Sequence, residues 1–338
     1  MTTRTWRTRD VPPQGFAADW TARLAQAPHA SFALRADLLA WEAVHGREAL
    51  AALVDDGPRR AALVLRFEGG RLESGWPWRA QAVLEGASVA SGLSRADASW
   101  VFGQAERLAG GRRLEVHLPH APENGAPAFR SGGTLMRSLA PQEDELMRTL
   151  DVNKRRAVKR AIKEGYRVLD ADRPAQYLAF ARLQRETEAR RGVTLPAIPE
   201  GVPAKGESWR EWEHPWQWLL VAQRGDVVEA GSGFGVAAGA TIDYRANAST
   251  LEAKKLGANA LLAWEALRRG RERGYRWMNW GGTTEFKREL GGETVEMWCW
   301  LGGGVAWALP NRVTASLHRA RPRVAAWWKS LTTAEARR

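Results

Sequence analysis

Apolar and polar positions along the chain fall into blocks with two periods. Leu38, Leu39, Trp41 and Val44 recur at helical spacing and predict a helix over residues 36–44. Apolar runs at 50–54 and 61–67 flank Asp55-Asp56-Gly57-Pro58, a turn sequence, and predict paired strands. Residues 94–108 predict an amphipathic helix, and the Leu-Glu-Val-His-Leu alternation within 113–118 a strand. Residues 121–133 are rich in Gly, Pro, Asn and Ser and predict a loop near a domain boundary. Helices follow over 141–150, 151–165 and 174–191. Asp151 or Asn153 suits the start of the middle one and Gly165 its stop. Residues 218–223, 227–237 and 241–246 predict a strand meander turned at Arg224-Gly225-Asp226 and Ala238-Gly239. A helix over 258–273 stops at Gly274 and leads into a short buried strand, 275–280. A strand near 298–301 and a basic helix over 313–330 close the chain. Residues 1–30 read as polar and irregular, broken by Pro12-Pro13, and 194–206 as an exposed segment. This order predicts an α+β, α/β-layered fold. The 338 residues suit two domains.

Composition narrows the class. An apolar fraction of 44% is that of a globular protein. The net charge of +12 favours a polyanionic partner: nucleic acid, a phosphate-bearing ligand or an anionic membrane surface. An Arg-rich composition alone gives the same surplus. The single cysteine, Cys299, lies in an apolar run and reads as a core residue, and a lone cysteine is expected to exclude an internal disulfide framework and a cysteine zinc site. No secretory leader pattern and no membrane-length apolar run are visible, which predicts a soluble, cytoplasmic protein. The six histidines show no metal-ligand spacing, so no metal is expected. His117 and His120 are three apart across a strand end and share no face. Nucleophile-elbow, Walker A and dinucleotide fingerprints are absent. Gly231-Ser-Gly-Phe-Gly235 falls within a strand.

Three features carry candidate chemistry. In the helix over 151–165, Ala157, Val158, Ala161 and Ile162 hold one face. Lys154, Arg155, Arg156, Lys159, Arg160 and Lys163 crowd the rest, with Arg167 just beyond, a surface suited to phosphates. Arg319, Arg321 and Arg323 make a weaker second patch. Of the 18 tryptophans, Trp41, Trp264 and Trp277 fall on apolar faces. Trp209, Trp212, Trp216 and Trp218 lie in a polar context that suits stacking on a base or sugar, resting at a membrane surface, or capping of an exposed edge of the core. The third feature is GYRWMNWGGTTEFKRELGG, residues 274–292: a strand running into Gly281-Gly282, then Phe286-Lys287, then Gly291-Gly292. Paired glycines after a strand allow close approach of backbone to a ligand, and a lysine between them suits an anionic group.

Four blocks together resemble the Fem family, the non-ribosomal peptidyltransferases of peptidoglycan assembly. They are NKRRAVKRAIKEG at 153–165, LQRETEARRG at 183–192, YRANAS at 244–249 with the helix over 259–268, and the stretch containing Phe286-Lys287 and its glycine pair. The likeness covers about residues 145–300. It implies two GNAT-like domains, each a mixed sheet flanked by helices, here 1–145 completed by 305–338, and 146–304. It implies acyl transfer from a charged tRNA to an amine of a UDP-linked or lipid-linked muropeptide, with no tightly bound cofactor and peripheral contact with the membrane surface. In that frame Lys287 stabilises negative charge, Phe286 shapes the pocket and Tyr244 donates a hydrogen bond, with Asp243 and Glu285 as candidate bases. Arg155, Arg156, Lys159, Lys163, Arg190, Arg191, Trp280, Gly281 and Gly282 bind substrate. Lys254, Gly257 and Asn259, in KKLGAN, are a degenerate match to the loop on which GNAT enzymes hold the CoA pyrophosphate. An acyl-CoA-dependent N-acyltransferase acting on a sugar or small amine is the second expectation. A non-catalytic nucleic-acid-binding protein on a GNAT scaffold is the third.

Overall fold

The structure, a computed structural model, describes residues 1–27, 32–44, 46–67, 78–84, 94–122, 125–192, 214–237, 240–318 and 320. The 194–206 segment, His29, His45, Trp209, Trp212, the Ala238-Gly239 turn, Arg319, Arg321 and Arg323 lie outside the described residues. In chain order the first elements are β1 (Thr2–Arg7), α1 (Phe16–Ala25), α2 (Ala36–Val44), β2 (Ala49–Asp55), β3 (Arg60–Phe67), β4 (Trp78–Leu84), α3 (Arg95–Ala109) and β5 (Leu114–Leu118). Then come β6 (Ala128–Ser138), α4 (Glu143–Arg148), α5 (Val152–Lys163), β7 (Arg167–Asp170), α6 (Pro174–Ala189), β8 (Gln217–Arg224) and β9 (Val227–Val236). The last are β10 (Thr241–Ser249), α7 (Leu251–Leu256), α8 (Ala258–Glu272), β11 (Trp277–Asn279), α9 (Glu285–Arg288) and β12 (Glu293–Gly302).

The chain divides into two compact units. One is Met1–Ala27, Ala36–Gly133 and Val295–Arg338; the other is Pro28–Arg35 and Thr134–Thr294. The divisions fall at 133/134 and 294/295, earlier than 145 and 304. Strand pairing is the reason: Met136, Arg137 and Ser138 pair with β11, whereas Trp298 to Gly302 pair with β5.

In the first unit the strand order is β1-β2-β3-β4-β5-β12, antiparallel except for the parallel pair β4–β5 joined through α3. Ser94 caps α3 by accepting from the Asp97 N–H. Val101, Phe102 and Ala105 of that helix pack on Leu63, Leu65, Leu114, Val116 and Trp300. The first 27 residues correct the expectation of an irregular segment. Thr2–Arg7 is an edge strand on β2, with Trp6 its buried residue. Phe16, Trp20 and Leu24, spaced by four, are fully buried on α1, and the Phe16 and Trp20 rings stack at 5.8 Å. The expected loop over 121–133 is also corrected, since β6 begins at Ala128. The C-terminal helix begins at residue 305 instead of 313 and is described to 318.

The second unit repeats the plan. Its strand order is β7-β8-β9-β10-β11-β6, antiparallel except for the parallel pair β10–β11 joined through α7 and α8. One face of the sheet packs Leu135, Phe234, Ile242 and Met278 against Leu261, Leu262 and Leu267 of α8, with Val158 and Ala161 of α5 in the same core. The other packs Leu219, Val221 and Ala248 against Phe180 and Leu183 of α6. Each unit is thus a mixed sheet flanked by helices. Trp216, Trp218 and Trp264 are core residues, and the Trp218 indole donates to Asp170 at 2.6 Å. Ile162 is not part of the buried face of α5: it is 58% exposed, because the packed stripe runs through Val158 and Ala161.

Candidate active site

The parallel pair β10–β11 organises the candidate site. Their pairing runs from Thr241↔Trp277 to Asp243↔Asn279 and stops there, while β10 continues to Ser249. Ligands of open α/β sheets bind beyond such parallel strand ends. A register shift between Tyr244 and Ala246 on the β9 side places a bulge at the same point, a device that re-aims a side chain. Tyr244 and Trp280 follow the last paired residues, and their rings meet edge to face at 5.6 Å. The Phe234 ring also meets that of Tyr244 edge to face, at 5.7 Å.

A polar network fixes the turn that follows. The Asn279 amide donates to Asp243 at 2.8 Å, and Asn279 Oδ1 accepts from the Gly281 N–H at 3.0 Å and from the Thr134 hydroxyl. Gly281 and Gly282 both take positive φ, 58° and 77°, which disfavours any other residue. A Cβ on Gly282 would meet only Lys287 Nζ, at 3.9 Å, so this turn is open. The second glycine pair differs. A Cβ on Gly291 would lie 2.6 Å from Arg137 Nη1, and one on Gly292 would lie 2.7 Å from the Met136 carbonyl. Gly291-Gly292 therefore admits the protein's own β6, which corrects the expectation that both pairs face a ligand.

Lys287 folds back from α9. Its ammonium donates to the Gly281 carbonyl and lies 5.1 Å from the centre of the Tyr244 ring. Burial lowers its pKa below the usual lysine value. Burial likewise raises the Tyr244 hydroxyl pKa, opposed by the charge of Arg191, so Tyr244 is a donor at neutral pH. Trp280 is fully buried, and its indole N–H has no hydrogen-bond partner among the described residues. Phe286 is half-buried beneath the Lys154 ammonium at 4.4 Å. Asp243 is 7% exposed and bonded to Asn279, so its carboxylate holds the turn. Glu285 is exposed at the start of α9.

The basic residues separate into two groups. Lys154 pairs with Glu289 at 2.8 Å, and Arg155 donates to the carbonyls of Arg148 and Leu150 at the end of α4. Arg155 thus serves that helix end, where the carbonyls carry partial negative charge. Arg156, Lys159, Arg160 and Lys163 remain exposed on α5, as do Lys254 and Lys255 on α7. Arg190 ties α6 to the Ser249 carbonyl at 2.7 Å, and Arg191 pairs with Glu188 at 2.9 Å. At Gly257 a Cβ would lie 2.3 Å from the Ala157 carbonyl, so this glycine lets α5 pack on the α7–α8 junction. Asn259 is engaged by Ser249 at 3.1 Å and Asn247 at 3.4 Å.

Sequence reasoning passed over Asn279, Thr134 and Arg137. Arg137 is 4% exposed and donates to Leu290 O, Leu146 O at 2.6 Å and Thr149 Oγ1 at 2.7 Å, tying the α9 end to α4. Burial lowers its pKa to about 10. An arginine within Leu135-Met136-Arg137-Ser138-Leu139, just after the expected loop, was the available signal.

Among the described residues no helix is long and apolar enough to cross a membrane. No curated protein matches the chain in sequence. The family described as acetyltransferase (GNAT) domain matches residues 151–288. Among solved structures, FemX matches with a TM-score of 0.65 at 13% identity, over 92% of this chain and 100% of that one. A C-terminal domain from Agrobacterium fabrum named for lysylphosphatidylglycerol synthetase matches with a TM-score of 0.54 at 14% identity, over 89% and 97%. A conserved protein of unknown function from Bacteroides thetaiotaomicron matches with a TM-score of 0.51 at 12% identity, over 84% and 96%. At these identities the likeness is one of fold. Residues 151–288 are thus similar to the GNAT acetyltransferase domain family, and the chain shares its fold with FemX.

Proposed function

We propose that this protein is an acyltransferase of the Fem type, which passes an aminoacyl group from a charged tRNA to an amine of a peptidoglycan precursor in the cytoplasm. The observation that carries the reading is the convergence of Tyr244, Lys287 and the open Gly281-Gly282 turn where β11 leaves β10. The acceptor amine attacks the ester carbonyl; the new C–N bond forms, the C–O bond to the tRNA ribose breaks, and the amine proton leaves with the ribose oxygen or water. Lys287 and the Tyr244 hydroxyl supply positive charge and a donor to the carbonyl oxygen as it becomes negative. Alignment of the two substrates provides much of the remaining acceleration. The exposed cations of α5 and α7 supply the surface for the tRNA phosphates. The acceptor is a UDP-linked or lipid-linked muropeptide; the lipid-linked form implies peripheral contact with the membrane surface.

The exposed cations spread over α5 and α7 support the tRNA donor over acyl-CoA. A thermal-shift panel tests this, because selective binding to the folded state raises the midpoint. Charged tRNA and UDP-muropeptide should each raise it and acetyl-CoA should not. A rise with acetyl-CoA alone would make the protein a CoA-dependent N-acyltransferase. A rise with tRNA regardless of charging, with no transfer to any muropeptide, would make it a binding protein.

A further inference from the structure

A second cluster of reactive side chains lies in the first unit, on β5 and β12. Leu114, Val116 and Leu118 of β5 point into the core, so Glu115 and His117 share the opposite face. The register sets Cys299 directly across from His117, and Leu301 across from Glu115. Directly opposed residues bring their Cβ atoms within about 5 Å, which lets their side-chain ends converge. Ligand-type atoms of Glu115, His117 and Cys299 all lie within 4.8 Å of one another.

We propose that Glu115, His117 and Cys299 bind a divalent transition metal of the zinc class. The donor set is one thiol, one imidazole and one carboxylate. Thiolate and imidazole together select zinc-like ions over magnesium and calcium. Three protein ligands leave one tetrahedral position for water. His117 Nδ1 lies 3.1 Å from the Ser131 hydroxyl. A contact of this kind fixes the imidazole plane and leaves the other nitrogen to the metal. Cys299 is 1% exposed and packs with Leu301, Ala315 and the half-buried Phe129. On binding, the thiol gives its proton to solvent and the sulfur takes the metal in its place. The bound ion would cross-link β5 to β12 beneath the C-terminal helix that carries Ala315, so its first effect is on the stability of this unit. Residues 115 and 299 are far apart in sequence, and neither strand alone shows ligand spacing.

The test uses the full chain, stripped with a chelator and titrated with Co²⁺ as the spectroscopic probe. Cys299 is the sole cysteine, so a thiolate-to-cobalt charge-transfer band has one possible source. A saturable band at one equivalent is expected, displaced by Zn²⁺ and lost in Cys299→Ser. His117→Ala and Glu115→Gln should reduce Co²⁺ affinity by about tenfold or more, since even groups outside the ligand sphere are worth that much. Zn²⁺ should raise the thermal midpoint of the wild type and not that of His117→Ala, whose side chain is exposed and whose removal leaves the core intact. Absence of the band at saturating Co²⁺ overturns the proposal. So does a band whose affinity is unchanged in both His117→Ala and Glu115→Gln, which would mean binding by the thiol alone. Neither readout depends on acyl transfer.

Discussion

Replacing one glycine of each pair by alanine separates packing from ligand approach. At Gly291 the backbone has φ 80°, which costs an alanine about 1–2 kcal/mol. The new Cβ would also sit 2.6 Å from Arg137 Nη1 and 3.2 Å from the Thr149 carbonyl. Arg137 cannot move aside freely, because its guanidinium is buried and bonded to Leu146 O and Thr149 Oγ1. Losing one such bond to a charged group costs about 1.5–3 kcal/mol. Gly291→Ala is therefore expected to destabilise by roughly 3–5 kcal/mol. At Gly282 the nearest atom to a Cβ is Lys287 Nζ at 3.9 Å, so only the conformational cost applies, about 1–2 kcal/mol. Gly282→Ala should fold, yet lose acyl transfer, because the methyl group occupies the open side of the turn. Urea denaturation followed by tryptophan fluorescence measures the first effect; transfer from charged tRNA to muropeptide measures the second. Stability losses of equal size at both positions would refute the division of roles. Wild-type kinetics in Gly282→Ala would show that no ligand approaches this turn.

Other consequences are as direct. Lys287 has its pKa lowered by burial, so between that value and 10.5 the unfolded chain binds the more protons and stability rises with pH. Lys287→Met should abolish that rise and reduce transfer by about 10²-fold or more, and Lys287→Arg should move the alkaline limb of the rate profile upward; an alkaline limb unchanged in Lys287→Arg would remove the lysine from the chemistry. Reversing Arg156, Lys159 and Lys163 to glutamate should weaken tRNA binding and lower the slope of log affinity against log salt by about 2–3, so an unaltered slope would place the tRNA elsewhere. Trp20→Ala should cost about 3–5 kcal/mol in the first unit if α1 belongs to its core, as a denaturation curve would show.

Much of the second unit was legible in sequence because its elements are long and periodic. The α8 helix, the β8–β9–β10 meander and the basic helix α5 emerge from spacing alone. The errors fall where local signals compete. Phe16, Trp20 and Leu24 form a helical stripe, yet the polar residues between them and Pro12-Pro13 obscured it. Gly132 and Gly133 made β6 resemble a loop, although Leu135 and Met136 beyond them are buried. The paired glycines looked alike in sequence, and the approach of Met136 and Arg137 of β6 distinguishes them. Candidate site residues on one stretch, Trp280 to Lys287, were visible together. Asn279 with Asp243 was not, since the two are 36 positions apart and meet only through parallel pairing of β10 with β11.

The cations around Phe286 also show why Lys287 suits charge stabilisation better than its neighbours. Lys154 is neutralised by Glu289, and Arg155 is committed to the carbonyls that end α4. Lys287 is held instead by a carbonyl dipole and the face of Tyr244, both neutral partners. A cation held this way keeps its field. In a partly desolvated site that field acts on an oxyanion with little screening. The lowered pKa of Lys287 records the cost of burying the charge without a carboxylate. An anion arriving between the ammonium and the Gly281-Gly282 turn would offset that cost. On the proposed reading, the same burial that weakens the fold in the absence of substrate would strengthen binding of the negatively charged intermediate, the differential that catalysis requires.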